Sequence, residues 1–327
     1  LSARALTIDV HAHLVGMDER SHGCLVHERM RKKVSTRGIL GLIGCRWGDP
    51  TETIDRKYLD FVRRSLDEAP SLDRVVLYAL DGVYGEDGKL DRERTSLMVP
   101  NDYAFSVAAQ HEKIWVGCSV HPLRADALLE LERCAKAGAV LCKWLPAAQA
   151  IDPAHPRCQA FYAKLVALGL PLVSHVGIEF AVASQTPEFG TLERLEAAMK
   201  AGVRVIVPHA GDLKILGDRA DFERLVALLA RYPEVLIDNS ALALVHRGRR
   251  LSRVIARPEL APRVLHGSDF PLPSHSWAFA HKLGLGKARA IGRIPSPLER
   301  EVVLKRELGV PDQVFTQAVA RLRIPTS

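Results

Sequence analysis

The sequence predicts an α/β protein, a (β/α)8 TIM barrel with long insertion loops after strands 1 and 2 and extra C-terminal helices. Two observations carry this prediction. Eight short, nearly continuous apolar runs recur along the chain, as expected of strands buried on both faces of a parallel sheet. Between them lie segments with apolar residues at three- and four-residue spacing, the period of a helix with one buried face. Alternating strand with helix eight times closes a barrel.

The first run is Leu6–Leu14 (LTIDVHAHL), and residues 15–58, rich in Gly, Arg and His, form a long insertion after it. Arg74–Asp81 is the second run, followed by a polar loop over 82–100. Loops after barrel strands lie on the catalytic face, so both segments are placed to cover a site. Ile114–His121 and Ala139–Leu145 follow, separated by the helical Ala125–Ala137. Helix Cys158–Leu168 then leads to Pro171–Val176, helix Leu192–Ala201 to Arg204–His209, and helix Phe222–Ala230 to Val235–Asn239. Arg263–Asp269 is the eighth run. Gly138, Gly169 and Gly202 come just after helices, where glycine tolerates the left-handed conformation that ends them. Beyond Gly284, Pro297–Leu308 and Asp312–Leu322 read as further helices packed outside the barrel. Residues 1–327 are expected to form one domain, with the barrel over about 6–275 and the helical extension over about 284–327.

Hydrophobic residues make up 47% of the chain and charged residues 25%, a globular composition that excludes disordered and fibrous proteins. No apolar run approaches the roughly 18–20 residues of a membrane span. The segment Leu1–Leu6 lacks the apolar core of a signal peptide. The six cysteines, Cys24, Cys45, Cys118, Cys134, Cys142 and Cys158, include no CxxC pair and sit mostly in apolar stretches. They read as reduced core residues of a cytoplasmic protein. The net charge of +7 is spread along the chain, and its densest cluster, Arg247-Gly248-Arg249-Arg250, has no interleaved aromatics. Neither nucleic acid nor membrane is an expected partner; a small-molecule substrate is, with a mild bias toward anions. There is no GxxxxGK[ST] and no GxGxxG, so no dedicated phosphate cradle. A homodimer is the prior for a soluble enzyme of this size.

The chemistry sits where the runs end. His11 and His13 are two positions apart on one strand and therefore face the same side. Lys143, His175, His209 and Asp269 fall near the ends of the fourth, fifth, sixth and eighth runs. All converge on the mouth formed by the C-terminal ends of the strands, where barrel enzymes keep their chemistry. Several imidazoles and a carboxylate suit Zn²⁺, with Mn²⁺, Fe²⁺ or Co²⁺ as alternatives. Asp81, His121 and Asn239 end the second, third and seventh runs, and Glu179 lies just beyond the fifth; these are the substrate-binding candidates. Asp9 is placed to accept from a ligand imidazole, or to serve as an ordinary polar residue of the barrel interior. His22, His27 and Trp47 are scattered through the first insertion, as lid residues or as surface residues. His266 and Trp144 are out of phase with the site and read as core.

The stretches IDVHAHL (8–14), CKWLP (142–146), SHVG (174–177), VPHAG (207–211) and HGSDFP (266–271) resemble the amidohydrolase superfamily, in particular its amidohydrolase-related (amidohydrolase 2) branch. The resemblance runs through nearly the whole barrel. It implies a metal-dependent enzyme with His11, His13 and His175 as metal ligands, and Asp269 as both ligand and general base. His209 would ligate a second metal or act as a substrate-facing acid/base. In binuclear members a lysine at the position of Lys143 is N6-carboxylated and bridges two metals; burial beside cations favours the neutral amine that such a step needs. Lys143 pairing with a substrate carboxylate, or a structural ion pair, are the other readings. The resemblance implies a hydrolase with a mono- or binuclear site (one or two Zn²⁺) acting on a lactone, cyclic amide, amide or ester. The alternative is a non-oxidative decarboxylase of an aromatic or muconate-type acid using a single divalent metal.

Overall fold

The computed structural model describes residues 5–177, 179–211 and 219–324. The first four and last three residues of the expected 1–327 domain, and with them most of the Leu1–Leu6 segment, lie outside the described residues. Each of the eight apolar runs contains a strand: β1 (Ile8–His13), β2 (Arg74–Tyr78), β3 (Ile114–Cys118), β4 (Leu141–Trp144), β5 (Leu172–Ser174), β6 (Val205–Val207), β7 (Leu236–Asp238) and β8 (Val264–Leu265). Neighbours in sequence pair in parallel from β1 through to β8. Backbone bonds close the seam between β8 and β1. Val10 N–H donates to His266 O at 2.9 Å, Asp269 N–H to His11 O at 2.8 Å and His13 N–H to Phe270 O at 2.8 Å. The result is a (β/α)8 TIM barrel with added helices.

The strands are apolar throughout because each has two buried faces. Ile8, Val10, Val76, Tyr78, Leu141, Val173, Ile206, Leu236 and Leu265 fill the barrel interior. The opposite faces pack beneath the surrounding helices: α1 (Thr51–Asp67), α2 (Asn101–Ala108), α3 (Ala127–Lys136), α4 (Cys158–Leu168), α5 (Leu192–Lys200), α6 (Arg219–Arg231), α7 (Gly248–Ile255) and α8 (Pro297–Glu307). Trp144, for example, turns outward from β4 onto Phe161 of α4, with ring centroids 5.0 Å apart. Gly138, Gly169 and Gly202 have φ of +97°, +62° and +79°, the left-handed stops read from the sequence. All six cysteines are free and buried. Among the described residues, no helix is long and apolar enough to cross a membrane.

The tail departs from the sequence expectation. Beyond α8 it is a short helix, Asp312–Thr316, and a 3-10 turn, Gln317–Ala320. Ala318 and Leu322 join the barrel-interior cluster, and Arg323 N–H donates to Val140 O at 3.1 Å, just before β4. The tail thus plugs the end of the barrel opposite the mouth instead of packing wholly outside.

The insertions are more structured than loops. Residues 15–58 contain the short helices Glu19–His22 and Val34–Leu42, a 3-10 turn and the start of α1. Leu25–Val26 pairs antiparallel with Leu97–Met98 from the loop after β2, so the two insertions are joined. Both also lean on the loop after β5. Ser35 Oγ donates to Ala181 O at 2.9 Å, Lys33 Nζ to Phe180 O at 3.3 Å and Ser96 Oγ to Ala183 O at 3.1 Å.

Candidate metal centre

His11 and His13 project from the end of β1 with ring centroids 5.2 Å apart. Asp269 reaches them from the segment after β8. Its Oδ1 lies 3.0 Å from His13 Nε2 and 3.3 Å from His11 Nε2. One donor atom from each of these three residues lies within 4.8 Å of the others, close enough to hold a single cation. His13 is 33% exposed, so the cluster meets the mouth at that side chain. Asp269 has φ of +66° and His209 has φ of +56°, conformations that L-residues other than Asn and Asp seldom adopt.

The cluster is oriented from behind. His11 Nδ1 donates to Asp238 Oδ2 at 2.8 Å, which leaves Nε2 directed at Asp269. Asp238 Oδ1 accepts from the backbone N–H of His209 at 2.9 Å and of Ser240 at 3.0 Å, and from Ser240 Oγ. His209 Nδ1 donates to Ser240 O at 3.0 Å, so its Nε2 carries the lone pair. Asp238 is therefore the carboxylate behind the imidazoles. Asp9 is not: its Oδ1 accepts from the backbone N–H of His11 and of Ser268, each at 3.0 Å, and it ties β1 to the segment after β8.

Burial sets the charge states. It pushes the His13, His175 and His209 imidazoles down, with His175 at about 4, and a neutral imidazole is the form that ligates a metal. At His11, burial and Lys143 act downward, but Asp238 outweighs them and raises it. Burial acts upward on Asp269, yet His209 and a hydrogen bond from His13 hold it well below the usual carboxylate range. Asp238 is likewise held low by His11 against its own burial.

His175 and His209 complete the pocket, with ring centroids 5.3 Å apart; His209 is 5.2 Å from His11. His175 Nε2 is buried with no hydrogen-bond partner among the described residues and faces Glu179 Oε2 at 3.8 Å. Glu179 is held by its other oxygen, which accepts from the N–H of Ala181 at 2.6 Å and of Val182 at 3.1 Å. Lys143 is buried, and its Nζ has no hydrogen-bond partner among the described residues. It stands 5.1 Å from the centroid of Tyr78, whose ring lies beneath His11. Burial pushes Lys143 down to about 8, although Asp238, Asp269 and Glu179 pull it back. Arg247, on the loop after β7, is buried, and its charge reaches both His175 and His209.

The structure brings together His11, His13, Lys143, His175, Glu179, His209 and Asp269. The remaining sequence candidates make bonds elsewhere. His121 Nε2 donates to Gln149 O at 3.0 Å and its Nδ1 accepts from Leu123 N–H at 3.1 Å. Asp81 accepts from His121 N–H at 2.8 Å and pairs with Arg124 at 3.3 Å. Asn239 turns outward, its Oδ1 accepting from Gly267 N–H at 3.1 Å and from Lys305 Nζ at 3.0 Å. Sequence reasoning missed Asp238, Tyr78 and Arg247, while Ser240, read with Asn239 at the end of the seventh run, does reach the site. The signal for Asp238 was strand phase: of the neighbours Asp238 and Asn239, only one can face inward.

The donor set fits a single divalent cation. The imidazoles of His11 and His13 and an ionised carboxylate converge, a second carboxylate orients His11, and the buried nitrogens of His11 and His175 have no hydrogen-bond partner among the described residues. The family model described as Amidohydrolase matches residues 8–305. Among solved structures, the chain is similar to an uncharacterised TIM-barrel protein from Bordetella bronchiseptica, with TM-score 0.58 and 14% identity over 92% of this chain and 99% of that one. It is also similar to a provisionally assigned amidohydrolase from Staphylococcus aureus, with TM-score 0.50 and 13% identity over 95% and 96% of the two chains. No curated protein matches the chain. At these identities the structural likenesses show the fold, while the family match spans strand, site and outer helix alike: the chain belongs to the amidohydrolase family.

Proposed function

We propose that this protein is a hydrolase of a lactone, cyclic amide, amide or ester that uses one divalent metal ion, Zn²⁺ first among the candidates, held by His11, His13 and Asp269. The observation behind it is the convergence of these three donors within 4.8 Å at the mouth of the barrel. When bound, such a cation supplies Lewis acidity, polarising a carbonyl and acidifying water.

The chain's own residues do the rest. Asp269 is ionised and accepts the proton of the attacking water, then returns it to the leaving group. His209, neutral and fixed by Ser240, offers its Nε2 lone pair as an acceptor for a substrate N–H or O–H. His175 lies on the same side and is the second candidate for that role. Among the described residues nothing is hydrogen-bonded to the Lys143 Nζ, and we read it as a free, uncarboxylated ammonium that meets an anionic group on the substrate. The joined insertions dock on the loop after β5, which carries Glu179 of the pocket.

A panel of lactones, cyclic amides, amides and esters, run on metal-replete protein, tests this reading. Asp269→Asn should keep the fold and lose turnover by about three orders of magnitude or more. Near wild-type rates in that variant would remove Asp269 from the chemistry.

One observation favours a second reading. Lys143 and Arg247 both bear on His175, giving the pocket two cationic side chains. That suits a carboxylate substrate and hence decarboxylation of an aromatic or muconate-type acid, in which the bond to the carboxylate breaks to release CO₂ and the carbon takes a proton that Asp269 or His209 has first accepted from solvent. Release of CO₂ from such acids, with no hydrolysis across the panel, would select it.

A further inference from the structure

Outside the barrel wall, Lys305 of α8 is completely buried. Its Nζ donates to Asn239 O at 2.9 Å, Asn239 Oδ1 at 3.0 Å and Gly267 O at 2.6 Å. Glu301, one turn earlier on the same helix, supplies the counter-charge at 2.7 Å. An ammonium has three N–H donors, and here they meet acceptors from two different strand ends.

Those acceptors lie next to the centre. Asn239 stands between Asp238, which holds His11, and Ser240, which holds His209. Gly267 comes two residues before Asp269. Its bare Cα packs directly on the centre, since a Cβ there would lie 2.7 Å from His11 Cβ and 3.0 Å from Ser240 Cβ. The strand that ends here, β8, is only two residues long, and the seam beyond it is held by isolated backbone bonds. Regular pairing of β7 with β8 ends at Leu265 opposite Asp238, so the path onward to Asp269 is fixed by individual bonds and not by the sheet. Stability alone does not call for a buried ion pair at such a place, because apolar replacements of similar volume are often neutral or stabilising.

We infer that Lys305 is a positioning residue for the metal centre: by tying Asn239 to Gly267 from outside the barrel, it holds Asp238 and Asp269 at the separation that one cation requires. The inference rests on the metal-centre reading and deepens it.

The test is calorimetric titration of Mn²⁺ or Zn²⁺ into metal-free full-length protein, with circular dichroism and thermal melting to establish that each variant is folded. Lys305→Met keeps the volume and removes every donor. Its metal Kd should weaken by about 10–100-fold, as for other residues that orient ligands. Lys305→Gln keeps two donors and should fall between Met and wild type, and it replaces the Met variant if that one does not fold. A residue serving the fold alone would lower the melting temperature and leave the Kd of folded protein unchanged. That result, or failure of both variants to fold, would overturn the inference. Wild-type protein that binds neither ion would instead overturn the metal-centre reading itself.

Discussion

The imidazole of His11 and the carboxylate of Asp238 meet across the barrel at 2.8 Å, although 227 residues separate them in the chain. The same carboxylate accepts the backbone N–H of His209, so one buried anion positions two of the histidines at the mouth. Its own burial penalty is outweighed by His11, which keeps it ionised.

Asp238→Asn keeps the size of the side chain and removes its charge. His11 then loses the acceptor that selects its tautomer, and the metal Kd should weaken by about 10–100-fold. Calorimetric titration on protein shown to be folded reads the change. An unchanged Kd would mean that Asp238 has no hold on the centre.

Gly267→Ala should be costly for so small a change. The added methyl group would lie 2.7 Å from His11 Cβ and 3.0 Å from Ser240 Cβ, and neither atom is the free end of a flexible side chain. Overpacking of this kind costs about 1–3 kcal/mol, and the strain falls on a candidate ligand. Denaturant unfolding of the metal-free variant should show that loss, and metal binding should weaken with it. A cost below about 0.5 kcal/mol, typical of open surface sites, would show that His11 is not packed against this backbone.

Acid should destabilise the protein partly through His121. Burial pushes this imidazole down to about 3, where both nitrogens are used in neutral form. The unfolded chain binds a proton near pH 6.5, so between pH 6.5 and about 3 it binds more protons than the folded one. Stability therefore rises with pH across that window and is lost as pH falls through it, by at most about 1.4 kcal/mol per pH unit for this group. In His121→Asn the slope of unfolding free energy against pH should flatten over the same range. An identical slope would show that His121 does not titrate differently on folding.

Much of the barrel was legible because its strands have two buried faces and its helices one. The runs that end in His11, Lys143, His175, His209 and Asp269 carried their own phase, and the structure brings all five together. Asn239 shows where that reading runs out. It ends its strand as plainly as the others, but the side chain turns outward to Lys305, while its neighbour Asp238 faces in; only the geometry of the strand end decides between them. Asp81 and His121 also end strands, yet bond to each other's loops. The insertions had no apolar period to read, because their order comes from pairing Leu25–Val26 with Leu97–Met98 and from docking on the loop after β5.

Metal content per chain decides how this centre works. Elemental analysis of protein purified without chelator and with bicarbonate present should find one equivalent of a divalent metal, lost in His13→Ala and retained in Lys143→Met. Two equivalents, together with a carbamate carbon bound at Lys143 by ¹³C spectroscopy, would contradict the single-ion centre and its uncarboxylated lysine. A chain that carries no metal, and takes none up, would contradict the centre altogether.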